Sequence, residues 1–198
     1  MIKTIFAKII GWTLRIMLRL RDNHPPINII NQLNEAKNIL VYMPHKIEHF
    51  GVALQALQKL ITKRPHWHIT VITKREMVSI IDNRLKVNII PFSNEDINFF
   101  GFPKESLKKY FNHSSYDLAL DFLFKFDLLI IKLFQLSGAP LKVCFDSKEK
   151  SHFYNFRIRV SAGEELAKKY NAMIKYITVM EYPTKQASPR TQTPLEFK

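Results

Sequence analysis

Between residues 37 and 146 the chain alternates two kinds of apolar pattern. Short, almost unbroken apolar runs occur at "KNILVYM" (37–43), "WHITVIT" (67–73), "VNIIPF" (87–92), "YDLALDF" (116–122) and "LKVCFD" (141–146). Runs of that length, rich in Ile, Val and Leu, predict strands. Between them the apolar positions recur at helical spacing. Ile47, Phe50, Leu54, Leu57 and Ile61 fall on one stripe of a helix over 45–63, and a short helix covers Glu76 to Ile81. A further one spans 104–111, and an apolar helix runs from 125 to 137 until "SGAP" ends it. Strand and helix in alternation, with short connections, predict an α/β fold. It is a single Rossmann-like, doubly wound, mainly parallel sheet of about five strands.

The two ends of the chain carry different patterns. In "MIKTIFAKIIGWTLRIMLRLRD" (1–22), Ile2, Ile5, Phe6, Ile9, Trp12, Ile16, Met17 and Leu20 gather on one side of a helix, with Lys8, Arg15 and Arg19 opposite. Cations throughout the stretch, Lys3 and Arg21 included, exclude a simple membrane span or a signal peptide with a clean apolar segment. The expectation is a basic amphipathic helix lying on an anionic membrane surface through Lys3, Lys8, Trp12, Arg15 and Arg19. Packing of that helix on the domain is the alternative. "NHPPIN" breaks it, because two prolines cannot continue a helix, so residues 23–36 read as linker and 37–160 as the Rossmann-like domain. A C-terminal helix is expected within 161–182. Residues 183–198, rich in Pro, Thr, Gln and Ser, read as a disordered tail.

Charge then narrows the partners. Thirty Lys and Arg against 17 Asp and Glu in 198 residues give a net charge of +13, which suits nucleic acid, anionic lipid or phosphorylated ligands. The basic residues are scattered over several elements with no recognition helix or RNP-like motif, so nucleic-acid binding stands third among the functional readings. The single cysteine, Cys144, sits in an apolar run and reads as a buried hydrophobe in a reducing cytoplasm.

Candidate chemistry concentrates after the first strand, in "MPHKIEHFG". A dinucleotide site would need G-x-G-x-x-G there, and only Gly51 is present, so no nucleotide cofactor is expected. His45, Glu48 and His49 spell H-x-x-E-H, a zinc-protease pattern. It lies at a strand-to-helix turn with no identifiable third ligand, so no metal is expected either. A histidine beyond the carboxyl end of a central strand is placed to act as a general base: His49 is the candidate, with Glu48 to orient it. A plain solvated helix start is the alternative. His45, Lys46, Asp121 and Asp146 are candidates for binding a ligand in the same crevice, the two aspartates having turn capping as the duller role. Phe99, Phe100 and Phe102 around Gly101 are candidates for a cleft lining or for packing over the sheet edge.

These blocks, in this order, resemble the N-terminal half of the heptosyltransferase-type glycosyltransferases (glycosyltransferase family nine, GT-B architecture). Ile39 to Val41 match that family's first strand, and Ala53, Leu54, Ala56 and Leu57 match its first helix. Tyr116 to Asp121 match its YDLVID block, and Ser137 to Ala139 with Phe145 and Asp146 match its SGA-x-x-R-x-G-F-D block. The resemblance implies an acceptor-binding half, with His49 in the place of the family's general-base aspartate and Glu48 in that of a glycine. It also implies that the donor-binding half is lacking. The expected function is therefore membrane-associated, glycosyltransferase-like work in cell-envelope glycan or lipopolysaccharide-type assembly in bacteria. Sugar transfer from a nucleotide sugar to a lipid-linked or phosphorylated glycan acceptor would need a second glycosyltransferase chain. The expected location is cytoplasmic, peripheral on the inner membrane. A non-catalytic membrane-bound scaffold or acceptor-binding module is the second reading.

Overall fold

The structure, a computed structural model, describes residues 27–112 and 114–179. The expected membrane-surface helix with Lys3, Lys8, Trp12, Arg15 and Arg19, and the expected tail at 183–198, lie outside them. In chain order the elements are helix α1 (Ile29–Glu35), β1 (Asn38–Tyr42), α2 (Ile47–Lys63) and β2 (His68–Lys74), then a 3₁₀ turn (Arg75–Ile80) and β3 (Val87–Phe92). There follow α3 (Glu105–Lys108), β4 (Leu118–Asp121), α4 (Leu128–Leu136), β5 (Leu141–Phe145), β6 (Phe156–Ile158) and α5 (Leu166–Val179).

The six strands form one sheet in the order β3-β2-β1-β4-β5-β6, and every neighbouring pair is parallel. The fold is α/β and Rossmann-like, as the alternation predicts. Two elements exceed that prediction. The stretch read as linker contains α1, capped by the Asn28 side chain and anchored by the fully buried Leu33. Beyond the five expected strands, β6 pairs Phe156–Ile158 with Val143–Phe145.

Alternation along the strands sorts the core into two layers, because successive side chains leave a strand on opposite faces. Ile39, Val41, Leu118, Leu120, Leu141 and Val143 pack on one face against α1, α2 and α5. Leu40, Tyr42, Ala119 and Cys144 pack on the other, against α3, α4 and the β5–β6 connection. That connection carries no helix; Phe153 and Tyr154 cover the sheet there instead. The apolar helix α4 stops where Gly138 takes φ +67, a left-handed conformation that a glycine adopts without side-chain penalty. The edge strands are β3, which contains Pro91, and the three-residue β6.

Candidate functional site

Strand β1 leads into α2 on one face, whereas its neighbour β4 leads into α4 on the other. The chain therefore diverges beyond the carboxyl ends of these two strands, where open α/β sheets form ligand crevices. A crevice of about 330 Å³ lies there, lined by Pro44, His45, Lys46, His49 and residues 123–127. Three of the four candidates from "HKIEH" thus reach it from the β1 side, and the β4–α4 loop "LFKFD" forms the facing wall.

His45 precedes α2, whose N-cap is Lys46, so His45 and His49 do not share one helix face as an H-x-x-E-H zinc helix requires. Among the described residues no group of three or more His, Cys, Asp or Glu could hold a metal ion. Instead, His45 Nε2 lies 3.2 Å from the Tyr42 hydroxyl and 3.9 Å from Asp127 Oδ2. Its ring meets Tyr42 and Phe92 edge-on. Tyr42 is fully buried; burial first, then the negative charges of Asp127 and Asp121, hold its phenol well above the usual pKa, so it stays protonated. Asp127 also caps α4, its Oδ1 accepting from Leu129 N at 2.9 Å.

His49 stands in the first turn of α2, half-buried, with its ring edge-on to Phe124 at 5.9 Å between centroids. Phe124 is in turn stacked on Phe145 at 4.3 Å, with the Lys169 ammonium 5.6 Å from its ring centre. Glu48 does not join this wall. It is exposed and outside the crevice lining, because adjacent helical residues point about 100° apart and only one of the pair can face inward. The structure therefore gives Glu48 a different place from the one expected: a carboxylate in the first turn of α2, where it complements the positive end of the helix dipole.

Asp121 likewise does not reach the ligand space. Its side chain is fully buried, and Oδ2 accepts from Lys150 Nζ at 2.7 Å and from the Tyr154 hydroxyl at 2.7 Å. Oδ1 accepts from Leu123 N at 2.8 Å, so the carboxylate is saturated by turn capping and an internal ion pair. Lys150, 1% exposed, donates also to the Leu123 carbonyl. The Tyr170 hydroxyl donates to the Phe122 carbonyl at 2.9 Å. Three side chains from later in the chain thus fix the backbone of residues 121–123, immediately before the crevice wall. Asp146 is occupied too: Arg157 donates to Oδ1 at 2.8 Å and Arg159 to Oδ2 at 3.3 Å, away from the crevice lining. Of the predicted ligand-binding set, His45 and Lys46 come together with the candidate base His49, and Asp121 and Asp146 do not.

Sequence reasoning missed Tyr42, Phe124, Lys125, Phe126, Asp127 and Lys150. Asp127 had a readable signal, an acidic residue directly before the apolar run "LLIIKLF". Lys150, within "DSKEKS", had none. The aromatic loop also departs from both expectations: Phe99 is 81% and Phe100 49% exposed, so these two rings neither line the crevice nor pack over the sheet.

With this geometry the chain is similar to solved glycosyltransferases. E. coli heptosyltransferase WaaC with ADP-2-deoxy-2-fluoro heptose superposes with a TM-score of 0.57 at 14% identity, covering 75% of this chain and 50% of that one. The same enzyme with ADP gives 0.54 at 12% identity, covering 75% and 49%. A glycosyl transferase family 9 structure from Veillonella parvula gives 0.50 at 12%, covering 73% and 42%. Likeness at these identities is a shared fold, and the chain spans about half the length of the structures it matches. No curated protein matches the sequence. The model of a family of unknown function (DUF6913) matches residues 18–180, and the chain belongs to that family.

Proposed function

We propose that this protein is a divergent relative of the acceptor-side half of the heptosyltransferase-type enzymes. On this reading it holds a phosphorylated or lipid-linked glycan in the β1/β4 crevice during cell-envelope glycan or lipopolysaccharide-type assembly. The observation that carries the reading is the composition of the crevice at the switch point of a glycosyltransferase-like sheet. Lys46, Lys125, His45 and His49 surround an aromatic floor of Phe124 and Phe126, at the N-terminus of α2, whose first turn has no side-chain cap. Cations and a helix N-terminus suit an anionic group, and a ring face suits the apolar face of a sugar.

Transfer of a sugar from a nucleotide donor would call on His49 as the base that takes the proton of the acceptor hydroxyl. It would also call on a second chain for the donor half. A non-catalytic acceptor-binding module is favoured by one observation: the carboxylate nearest in sequence to His49, Glu48, lies outside the crevice. Peripheral attachment to the inner membrane through residues 1–22 belongs to the same proposal.

Titrating the full chain with a short phosphorylated oligosaccharide, and separately with sugar nucleotides, tests it by NMR. The expected result is chemical-shift change confined to residues 44–49 and 123–127 on adding the glycan. No response to either ligand, alone or with a candidate partner chain, together with wild-type behaviour of His49→Ala cells, would sink the enzymatic reading.

A further inference from the structure

The loop between β3 and α3 ends in an aromatic tip that the described residues leave uncovered. Phe99 and Phe100 are 81% and 49% exposed, and their rings meet edge-on at 5.5 Å. Disorder does not put them there, because the loop is tied at its base and at its apex. Ile97 and Pro103 form an antiparallel bridge, and Asn98 N donates to the Phe102 carbonyl at 2.9 Å. The Asn98 side-chain oxygen accepts from Phe100 N at 2.9 Å and Phe102 N at 3.0 Å, and Gly101 closes the turn at φ +85. A Cβ on Gly101 would lie 4.0 Å from Leu128 Cδ2, so the loop is seated beside the start of α4, next to the Asp127 wall of the crevice.

We propose that this hairpin is a membrane-inserting tip, and that it seats in the interface of an anionic bilayer with the crevice mouth toward the lipid surface. From Ile97 to Pro103 the loop carries no charge, and Lys104, Lys108 and Lys109 follow with one carboxylate, Glu105, among them. Lys108 already meets Glu105 at 2.6 Å; on the other side Asp96 is taken up by Ser93 and Ser106, and the exposed Glu95 beside it is the one further acid. Lys104 and Lys109 are thus placed to meet lipid phosphates. Tyr110, 40% exposed with the Lys109 ammonium 5.5 Å from its ring centre, adds an interfacial aromatic. A convex, uncharged tip flanked by lysines on a chain of net charge +13 complements a negative surface of any local shape. A protein partner would have to supply a fitted pocket. The orientation of the crevice deepens the reading of a lipid-linked acceptor and rests on it; the insertion of the tip does not.

The test uses the full chain with Phe99→Cys carrying an environment-sensitive fluorophore. Cys144 stays unlabelled because it is fully buried and burial pushes its thiol pKa up. On vesicles of phosphatidylglycerol and phosphatidylethanolamine the probe shifts to the blue and is quenched by lipid-borne nitroxide. Phe99→Ser with Phe100→Ser lowers vesicle partitioning on the order of tenfold, with an unchanged far-UV circular dichroism spectrum. If the chain floats with vesicles while the probe stays in water, the tip is refuted and attachment by residues 1–22 stands. If the chain does not float at all, both membrane readings fall. A blue shift that grows with protein concentration in the absence of vesicles makes the tip a protein contact and overturns the proposal. Glycan binding in solution, measured as above, is independent of all these outcomes.

Discussion

Lys150→Met removes the ammonium that the fold buries beside Asp121, and its cost can be worked from the contacts. The pair is 2.7 Å apart, with side chains 1% and 0% exposed. At that distance, with an effective interior dielectric of about 20, the attraction is about 6 kcal/mol before desolvation is subtracted. Breaking one side of a buried pair usually costs ~3–5 kcal/mol, because the remaining charge loses its compensation. Asp121 keeps the hydroxyl of Tyr154 and the N–H of Leu123, so the lower part of that range applies, and about 3 kcal/mol of unfolding free energy should be lost. Urea unfolding followed by circular dichroism measures it, with linear extrapolation to water. Adding Asp121→Asn to Lys150→Met removes the orphaned charge; the amide oxygen still accepts from Leu123 N, and the amide NH2 donates to the Tyr154 hydroxyl oxygen in place of the lost acceptor. The double variant should therefore be more stable than the sum of the single losses by at least about 2 kcal/mol. A loss below about 1 kcal/mol for Lys150→Met, or additive single losses, would show that the ion pair does not hold the β4–α4 loop.

Three further outcomes are expected. Burial first, then Asp127 and Asp121 charge at Tyr42 and Asp121 charge at Tyr154 and Tyr170, raises these phenol pKa values above the ordinary value near 10. Groups raised in the folded state stabilise fully below the unfolded value and less as pH climbs past it. The late tyrosine absorbance change should therefore coincide with alkaline loss of the circular dichroism signal, and early, complete titration in the folded state would contradict this. Gly138→Ala should cost about 1 kcal/mol of stability from left-handed backbone strain alone, since nothing lies within 4 Å of the added Cβ; thermal unfolding would read it, and a neutral result would exclude the strain. His49→Ala should change stability by less than about 1 kcal/mol, because the ring is only half-buried, while abolishing the glycan-induced shifts at residues 123–127; unchanged shifts would remove His49 from the site.

The strands were legible because each central one is buried on both faces and so must be written as a continuous apolar run. β1, β2, β4 and β5 lie within two residues of the runs that predict them, and the edge strand β3 was legible from its six-residue run rich in Val, Ile and Phe. β6 escaped because an edge strand of three residues, "FRI", has neither length nor a two-sided core to enforce a pattern. α1 escaped because the preceding prolines drew the whole stretch into a linker, although Asn28 offered a helix cap. Within the site, His45, Lys46 and His49 were legible from position alone, since the turn after a central strand must lie at its carboxyl end. The partners were not. Lys150 meets Asp121 across 29 residues of sequence, and His45 meets Asp127 only because β1 and β4 are neighbours. Such contacts follow from strand order, which a single sequence does not spell out.

The two edges of the sheet also limit how any second chain can join. At one side Pro91 takes an N–H donor out of β3, and at the other β6 offers only three residues, so neither edge is a template for continuing the sheet. A companion subunit would have to dock side chain against side chain, on helix or loop surface, without sharing a ladder of backbone hydrogen bonds.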